Sequence, residues 1–312
     1  MVLPGPARQV QIARVAVMHY RQGKTRVEIA DETGLSRFKV GRMLDEAVES
    51  GIVRIEISGV TGVDVDASVR LRDRFGLEHA VVVEGGIESE TALQEALGRT
   101  TGSLLTEILG EDDVLGLTSG RTLNAMARSL DRLACRRVVQ LAGVAGPIQE
   151  SGLEVIRRLS ALPGVRPWAI YSSLVMSDAQ AAEGVRRQPD VRQTFEQFSR
   201  VTVMVGAVGS WVPQNSLMVA NPALDDADRA RLVDRDVVAE FAATLVTDTG
   251  RVVHDLDARC IAVSEQQIRR IPLRIAAAGG PSKTRAIRAV LAAGLVNGLV
   301  TDSATAERLL AG

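Results

Sequence analysis

The chain has 312 residues, 46% of them hydrophobic and 24% charged, with 37 Lys and Arg against 38 Asp and Glu for a formal charge of −1. This is the composition of a globular protein with room for two domains, and it excludes a general polycation, so any contact with nucleic acid must come from a local patch. Two cysteines, three histidines without zinc spacing and no apolar run near the ~20 residues of a bilayer span set the expectation of a cytoplasmic protein with no metal, cofactor or membrane partner.

The first element is a helix over residues 8–22, with Ile12, Val15, Ala16 and Tyr20 on one stripe and Gly23 as its stop. Thr25 followed by Glu28 forms a capping box, which opens a short helix through Glu32. Gly34 supplies a tight turn, Leu35 packs, and Ser36 is the N-cap of a helix running to about Ser50, with Val40, Met43, Leu44, Ala47 and Val48 on its buried side. Two short helices joined by a glycine turn follow the helix-turn-helix plan, whose second helix enters the major groove by its N-terminal end. That end carries Ser36, Arg37, Phe38, Lys39 and Arg42, while Asp45, Glu46 and Glu49 come later. Residues 1–57 hold nine Lys and Arg against seven Asp and Glu, so the bias is one of placement. An ordinary helix pair, or a head that contacts protein, would show the same helices; the basic N-terminal face favours double-stranded DNA. Val53, Ile55 and Ile57 alternate with Arg54 and Glu56, which predicts a strand and a winged type of head. The expected division is a DNA-binding domain over 1–58 and a larger domain over 59–312.

From His79 onward strands and helices alternate. Strands are predicted at 80–83, 114–118, 138–141, 201–206, 274–278 and 298–301, with helices at 91–109, 123–133, 153–162 and 284–293. This order predicts an α/β domain with a mostly parallel, Rossmann-like sheet, whose ligands bind beyond the carboxyl ends of the strands. Three loops stand out. Thr118, Ser119, Gly120, Arg121 and Thr122 lie between a strand and a helix, where hydroxyls, a guanidinium and helix N-terminal amides suit an anion. Gly279, Gly280 and Lys283 occupy a similar place. A nucleotide P-loop is rejected because Ser282 stands where glycine must precede the lysine. Lys283 can still hold one phosphate as a point charge, or be a solvated surface lysine. The third loop, 139–147, is built of small residues that leave room for a ligand and offer little chemistry.

The run from Ile29 through Gly34–Arg37 to Gly51–Ile55 resembles the N-terminal domain of the SorC family of sugar-responsive transcriptional regulators, although Gly41 stands where that family often has a serine. The larger domain resembles the effector domain of the same family. The matching segments are Gly116–Thr122, Gln140–Gly143, Leu256–Arg259, Arg270–Pro272, Ala278–Lys283 and Asn297–Asp302, in that order. The resemblance implies a fold like that of the phosphosugar isomerase and CoA-transferase superfamily, without catalysis. It implies an effector of the sugar, polyol or sugar-phosphate class held by Thr118–Thr122, Gly279, Gly280 and Lys283, with Glu240 accepting from hydroxyls and Asp257 alongside. It also implies a homodimer or homotetramer on an operator of palindromic form. Ala142 replaces a basic residue of some relatives, so neither an imine nor a bisphosphate clamp is expected. The competing reading is a sugar-phosphate isomerase or deaminase on the same fold. It would require a positioned acid–base group, and His19, His79 and His254 all lie outside the three loops.

Overall fold

The computed structural model describes residues 5–54, 62–85, 89–146 and 152–312. The chain divides into two compact units, residues 1–58 and 59–312. The first holds α1 (Pro6–Ala16), α2 (Arg26–Thr33) and α3 (Arg37–Glu49). Both halves of the capping box at Thr25 and Glu28 are made, Gly34 takes the left-handed conformation at φ 69°, and the Ser36 hydroxyl accepts from the Lys39 N–H. Ile12, Val15, Ile29, Val40, Met43, Leu44 and Ala47 close one small core.

Three expectations for this unit are corrected. Val17–Arg21 continues α1 as a π-helical turn, with Gln22 N–H donating to the Val17 carbonyl. The wider turn rotates the stripe, so Met18 is buried and Tyr20 is 46% exposed. Val48 is also exposed, on the outer side of α3. Residues 51–54 form no strand: Gly51 turns the chain at φ 74°, and Val53 N–H folds back to the Ala47 carbonyl. The rest of the expected wing, Ile55 to Ile57, lies outside the described residues.

The second unit contains a seven-stranded sheet whose strands are all parallel. The strands in chain order are β1 (His79–Val83), β2 (Val114–Leu117), β3 (Arg137–Gln140), β4 (Arg166–Trp168), β5 (Val203–Gly206), β6 (Val208–Ser210), β7 (Val237–Phe241), β8 (Thr244–Thr247), β9 (Val252–Val253), β10 (Leu273–Ala277) and β11 (Gly298–Asp302). The large sheet has the order β1-β11-β10-β5-β2-β3-β4, and β6-β7-β8-β9 form a small antiparallel sheet. The helices are α4 (Val65–Phe75), α5 (Glu90–Ile108), α6 (Arg121–Ser129), α7 (Gly152–Ser160), α8 (Ala179–Arg186), α9 (Pro189–Gln197), α10 (Asp226–Asp234), α11 (Glu265–Arg270), α12 (Thr284–Ala292) and α13 (Ser303–Ala311).

The central strands are buried on both faces, which is why they read as continuous apolar runs. Alternate side chains feed two cores. Val203, Val205 and Ile275 pack with α5, α6 and α7, while Met204, Ala276 and Leu299 pack with α4, α12 and α13. One close approach fixes α5 against α6. A Cβ at Gly98 of α5 would lie 2.6 Å from Ala125 Cβ and from the Met126 nitrogen of α6. Only glycine lets these two helices touch, and their contact sets the start of α5 beside the start of α6. Among the described residues no helix is long and apolar enough to cross a membrane.

Candidate functional site

The strand order reverses at the pair β2–β5. From β2 the chain proceeds to β3 and β4 on one side, and β10, β11 and β1 lie on the other, beyond β5. A crevice forms at such a point because the connections leave in opposite directions. Here it holds a hollow of about 270 Å³. Residues 118–122 after β2, 207–209 after β5 and Lys283 after β10 line it, closed by Glu240 of β7 and by residues 213–218. The structure thus brings together Thr118, Ser119, Gly120, Arg121, Thr122, Glu240 and Lys283. Ala142 lies on its wall.

Each polar group has a distinct setting. Gly120 precedes α6 without a capping side chain, leaving the first amides of that helix directed at the hollow's rim. Arg121 extends from the same turn to Glu90 at 3.1 Å. The Thr118 hydroxyl accepts from Ala207 N–H at 3.3 Å, tying the β2 loop to the β5 loop. Glu240 faces Gly209 across the β6–β7 ladder and accepts from the Ser216 hydroxyl at 2.8 Å. Burial pushes its carboxyl above the ordinary range, and the Ser216 hydrogen bond and the charge of Lys283 only partly offset this. Burial lowers the pKa of the Lys283 ammonium, the Arg121 charge lowers it further, and Glu90 and Glu240 pull the other way. Among the described residues the Lys283 ammonium makes no hydrogen bond or ion pair, and only its backbone N–H is used, on the Gly280 carbonyl. The hollow therefore offers unspent positive charge on one side and a desolvated carboxylate on the other. That arrangement suits a ligand with an anionic group and hydroxyl donors.

Gly279 and Gly280 line an adjoining lobe of about 340 Å³, which shares Gln94, Thr122 and Lys283 with the first. The Gly280 N–H is spent inside the protein, on Asp302 Oδ2 at 2.8 Å and Thr305 Oγ1 at 2.9 Å. Asp257 does not reach the hollow. It lies exposed in a single 3-10 turn, with Oδ2 2.7 Å from His254 Nδ1, in a separate depression with Arg186 and Thr244. Its segment serves the fold through Arg259, whose guanidinium pairs with buried Asp228 at 2.6 Å and caps the Ala223 carbonyl. Gln94 of α5, and Ser216 with the loop around it, were missed from sequence. Predicted strand 201–206 marks the loop after it as one to search, and that signal would have found residues 207–218.

In the first unit Ser36, Arg37, Phe38, Lys39 and Arg42 are all exposed. Arg37 lies over the Phe38 ring at 5.2 Å, and among the described residues Arg37, Lys39 and Arg42 make no ion pair. Glu46, further along α3, is neutralised by Arg8 at 2.6 Å. The leading end of α3 is thus a cationic surface with its acids behind it.

Residues 61–311 match the Sugar-bind family model, described as a sugar-binding domain. The chain is 28% identical to the uncharacterized transcriptional regulator YjhU of Escherichia coli K12, over 94% of this chain and 92% of that one. It is 27% identical to the transcriptional regulator LsrR of Escherichia coli O157:H7, over 98% and 96% of the two chains. Its fold is similar to that of the full-length sorbitol operon regulator SorC from Klebsiella pneumoniae, at a TM-score of 0.71 and 22% identity over 97% of this chain and 99% of that one.

Proposed function

Since this chain belongs to the Sugar-bind family, with the SorC-type sugar-binding regulators its sequence resembles, we propose that it is a DNA-binding transcription regulator whose activity follows a small effector in the hollow beyond β2, β5 and β10. The observation that carries the reading is the unpartnered Lys283 beside the uncapped start of α6, facing Glu240. Lys283, Arg121 and the α6 amides take a phosphate or similar anion. Glu240 accepts from hydroxyls. The effector is therefore a singly phosphorylated sugar or polyol, or its unphosphorylated analogue at lower affinity. Asp257 has no part in it, and Gly279 and Gly280 shape the adjoining lobe.

The exposed set Ser36, Arg37, Phe38, Lys39 and Arg42 is the DNA-contacting face. A helix-turn-helix reads half-sites ~34 Å apart, so the working species is a homodimer or homotetramer on a palindromic operator, in the cytoplasm. Its relatives are named as regulators, and we assign it no catalysis. Effector binding shifts operator affinity to the extent that it favours one quaternary state over another.

Two measurements test this. Gel shifts on fragments from the chain's own upstream region should weaken for Arg37→Ala and Arg42→Ala. Each lost phosphate contact should reduce the slope of log affinity against log salt by ~0.9. Unchanged affinity in both variants would refute the placement of the reading helix. A thermal-shift screen of sugars, polyols and their phosphates should find a stabilising ligand, and Lys283→Ala should weaken a phosphorylated one at least ~10-fold more than its unphosphorylated analogue. Equal losses would mean that Lys283 does not meet the phosphate.

A further inference from the structure

Glu90 lines the adjoining lobe and reaches Arg121, which lines the hollow. It is the first residue of α5, next to the Ser89 cap. The contact of α5 with α6 at Gly98 brings that turn beside Arg121. One carboxylate oxygen is 3.1 Å from Arg121 Nη2 and accepts from Gln94 Nε2 at 2.9 Å. Gln94 lines both lobes, with Arg121 on the first, Glu90 on the second and Lys283 on each. Lys283 is repelled by Arg121 and attracted by Glu90, so these charges share one field. An acidic side chain thus partly neutralises the basic group that follows β2.

We propose that Glu90 is a specificity-determining residue, a resident rival that any incoming anion must displace from Arg121. The inference rests on reading the hollow as an anion site. Exchange of one carboxylate for another at Arg121 leaves the charge unchanged, so a monoanionic sugar acid gains little there. A phosphate ester brings up to two charges and three acceptor oxygens. It can replace Glu90 on Arg121 and still meet Lys283 and the α6 amides. Glu90 therefore selects phosphate esters against carboxylates of similar size. Gln94, which holds the carboxylate from the α5 side, positions it.

The test uses the full chain, with inorganic phosphate and acetate as probes, each titrated by calorimetry. Glu90→Gln keeps the shape and removes the charge. It should bind phosphate about fivefold more tightly, the size of one unit charge at ~4 Å in a solvated setting, and the gain should shrink in high salt. Its preference for phosphate over acetate should narrow. Glu90→Asp keeps the rival charge and should behave as wild type. Loss of an acid from the first turn of α5 would lower the melting temperature without ligand, and that measurement separates a helix effect from the binding effect. If wild type binds phosphate, Lys283→Ala weakens it, and Glu90→Gln leaves it unchanged or weaker, the rivalry is refuted and the anion site stands. If neither wild type nor Glu90→Gln binds phosphate, the anion site falls and the rivalry with it.

Discussion

A single added methyl group at Gly209 should dislodge Glu240 and disarm one wall of the hollow. Gly209 and Glu240 are partners across the β6–β7 ladder, and the Glu240 side chain lies over the place where Gly209 has no Cβ. A Cβ there would be 2.5 Å from Glu240 Oε1 and 2.6 Å from its Cγ. Both separations are too short for real contacts, so in Gly209→Ala the carboxylate must swing away from Ser216. The Ser216 hydroxyl cannot follow, because it also accepts from the Met218 and Val219 N–H groups. Overpacking costs about 1–3 kcal/mol, and loss of a hydrogen bond to a charged group about 1.5–3 kcal/mol. Alanine regains about 0.5–1 kcal/mol over glycine inside a strand. The carboxylate also recovers some hydration as it leaves. The net loss should be about 2 kcal/mol. In the Glu240→Ala background the clash is gone, and Gly209→Ala should be neutral or slightly stabilising. Urea titrations of wild type, both single variants and the double variant give the coupling energy directly. A value of about 1.5 kcal/mol or more is expected. Additivity within about 0.3 kcal/mol would refute the proposed crowding of Glu240 by position 209.

Two further outcomes arise from charges held inside the domain. Burial raises the folded pKa of Glu240 above its ordinary 4.5, so folding favours its protonated form. Relative to Glu240→Gln, wild type should be equally placed below that ordinary value and should lose stability as pH rises through the raised one. Urea midpoints from pH 4 to 8 would show this as a growing gap, and a constant gap would count against it. Asp228 is also buried, but hydrogen bonds and charge from Arg259 and Arg231 overcome that burial and hold its carboxyl below the usual range. Arg259→Met should cost about 3–5 kcal/mol by leaving that carboxylate short of its main partner, and adding Asp228→Asn should restore part of the loss in the same urea assay. A cost under about 1 kcal/mol would show that the pair behaves like a surface salt bridge.

The parallel sheet was legible because its central strands are buried on both faces, so β2 and β5 are short continuous apolar runs bounded by turn signals. The six expected strands are all present, each within two residues of its reading at either end. The edge strand β4 was not, since Arg166–Pro167–Trp168 is short and carries a proline. Nor was the small sheet: β6 is Val208–Gly209–Ser210, and the residue that gives it a role at the site is one without a side chain. The cap, the Gly34 turn and helix α3 were legible from local chemistry alone. The phase of Tyr20 was not, because a π-helical turn depends on how α1 packs and not on its own spacing. The loops after β2 and β10 announced themselves as strand–glycine–helix steps. Ser216 and Gln94 did not, because their place depends on tertiary approach, of residues 213–218 to β7 and of α5 to α6.

Hydrogen-bond accounting separates the residues that hold the fold from those left to meet a ligand. Several polar members of the recurring segments are already occupied. Gln140 gives its amide to the Ala142 carbonyl and takes the Ile170 N–H. Asn297 bridges the Pro272 carbonyl and the Arg274 N–H. Asp302 takes the N–H groups of Gly280 and Thr305. Arg259 holds Asp228 and two carbonyls. Buried polar groups must be satisfied, and these satisfy one another, so a motif assembled from them reports a shared architecture more than a shared ligand. Lys283 differs in kind. It lies among other charges, where burial and the Arg121 charge lower its pKa, and among the described residues its ammonium has no hydrogen-bonding partner. The most direct way for such a group to recover its lost hydration is an anion, and of the two carboxylates that act on it, Glu90 is engaged with Arg121 and Glu240 with Ser216.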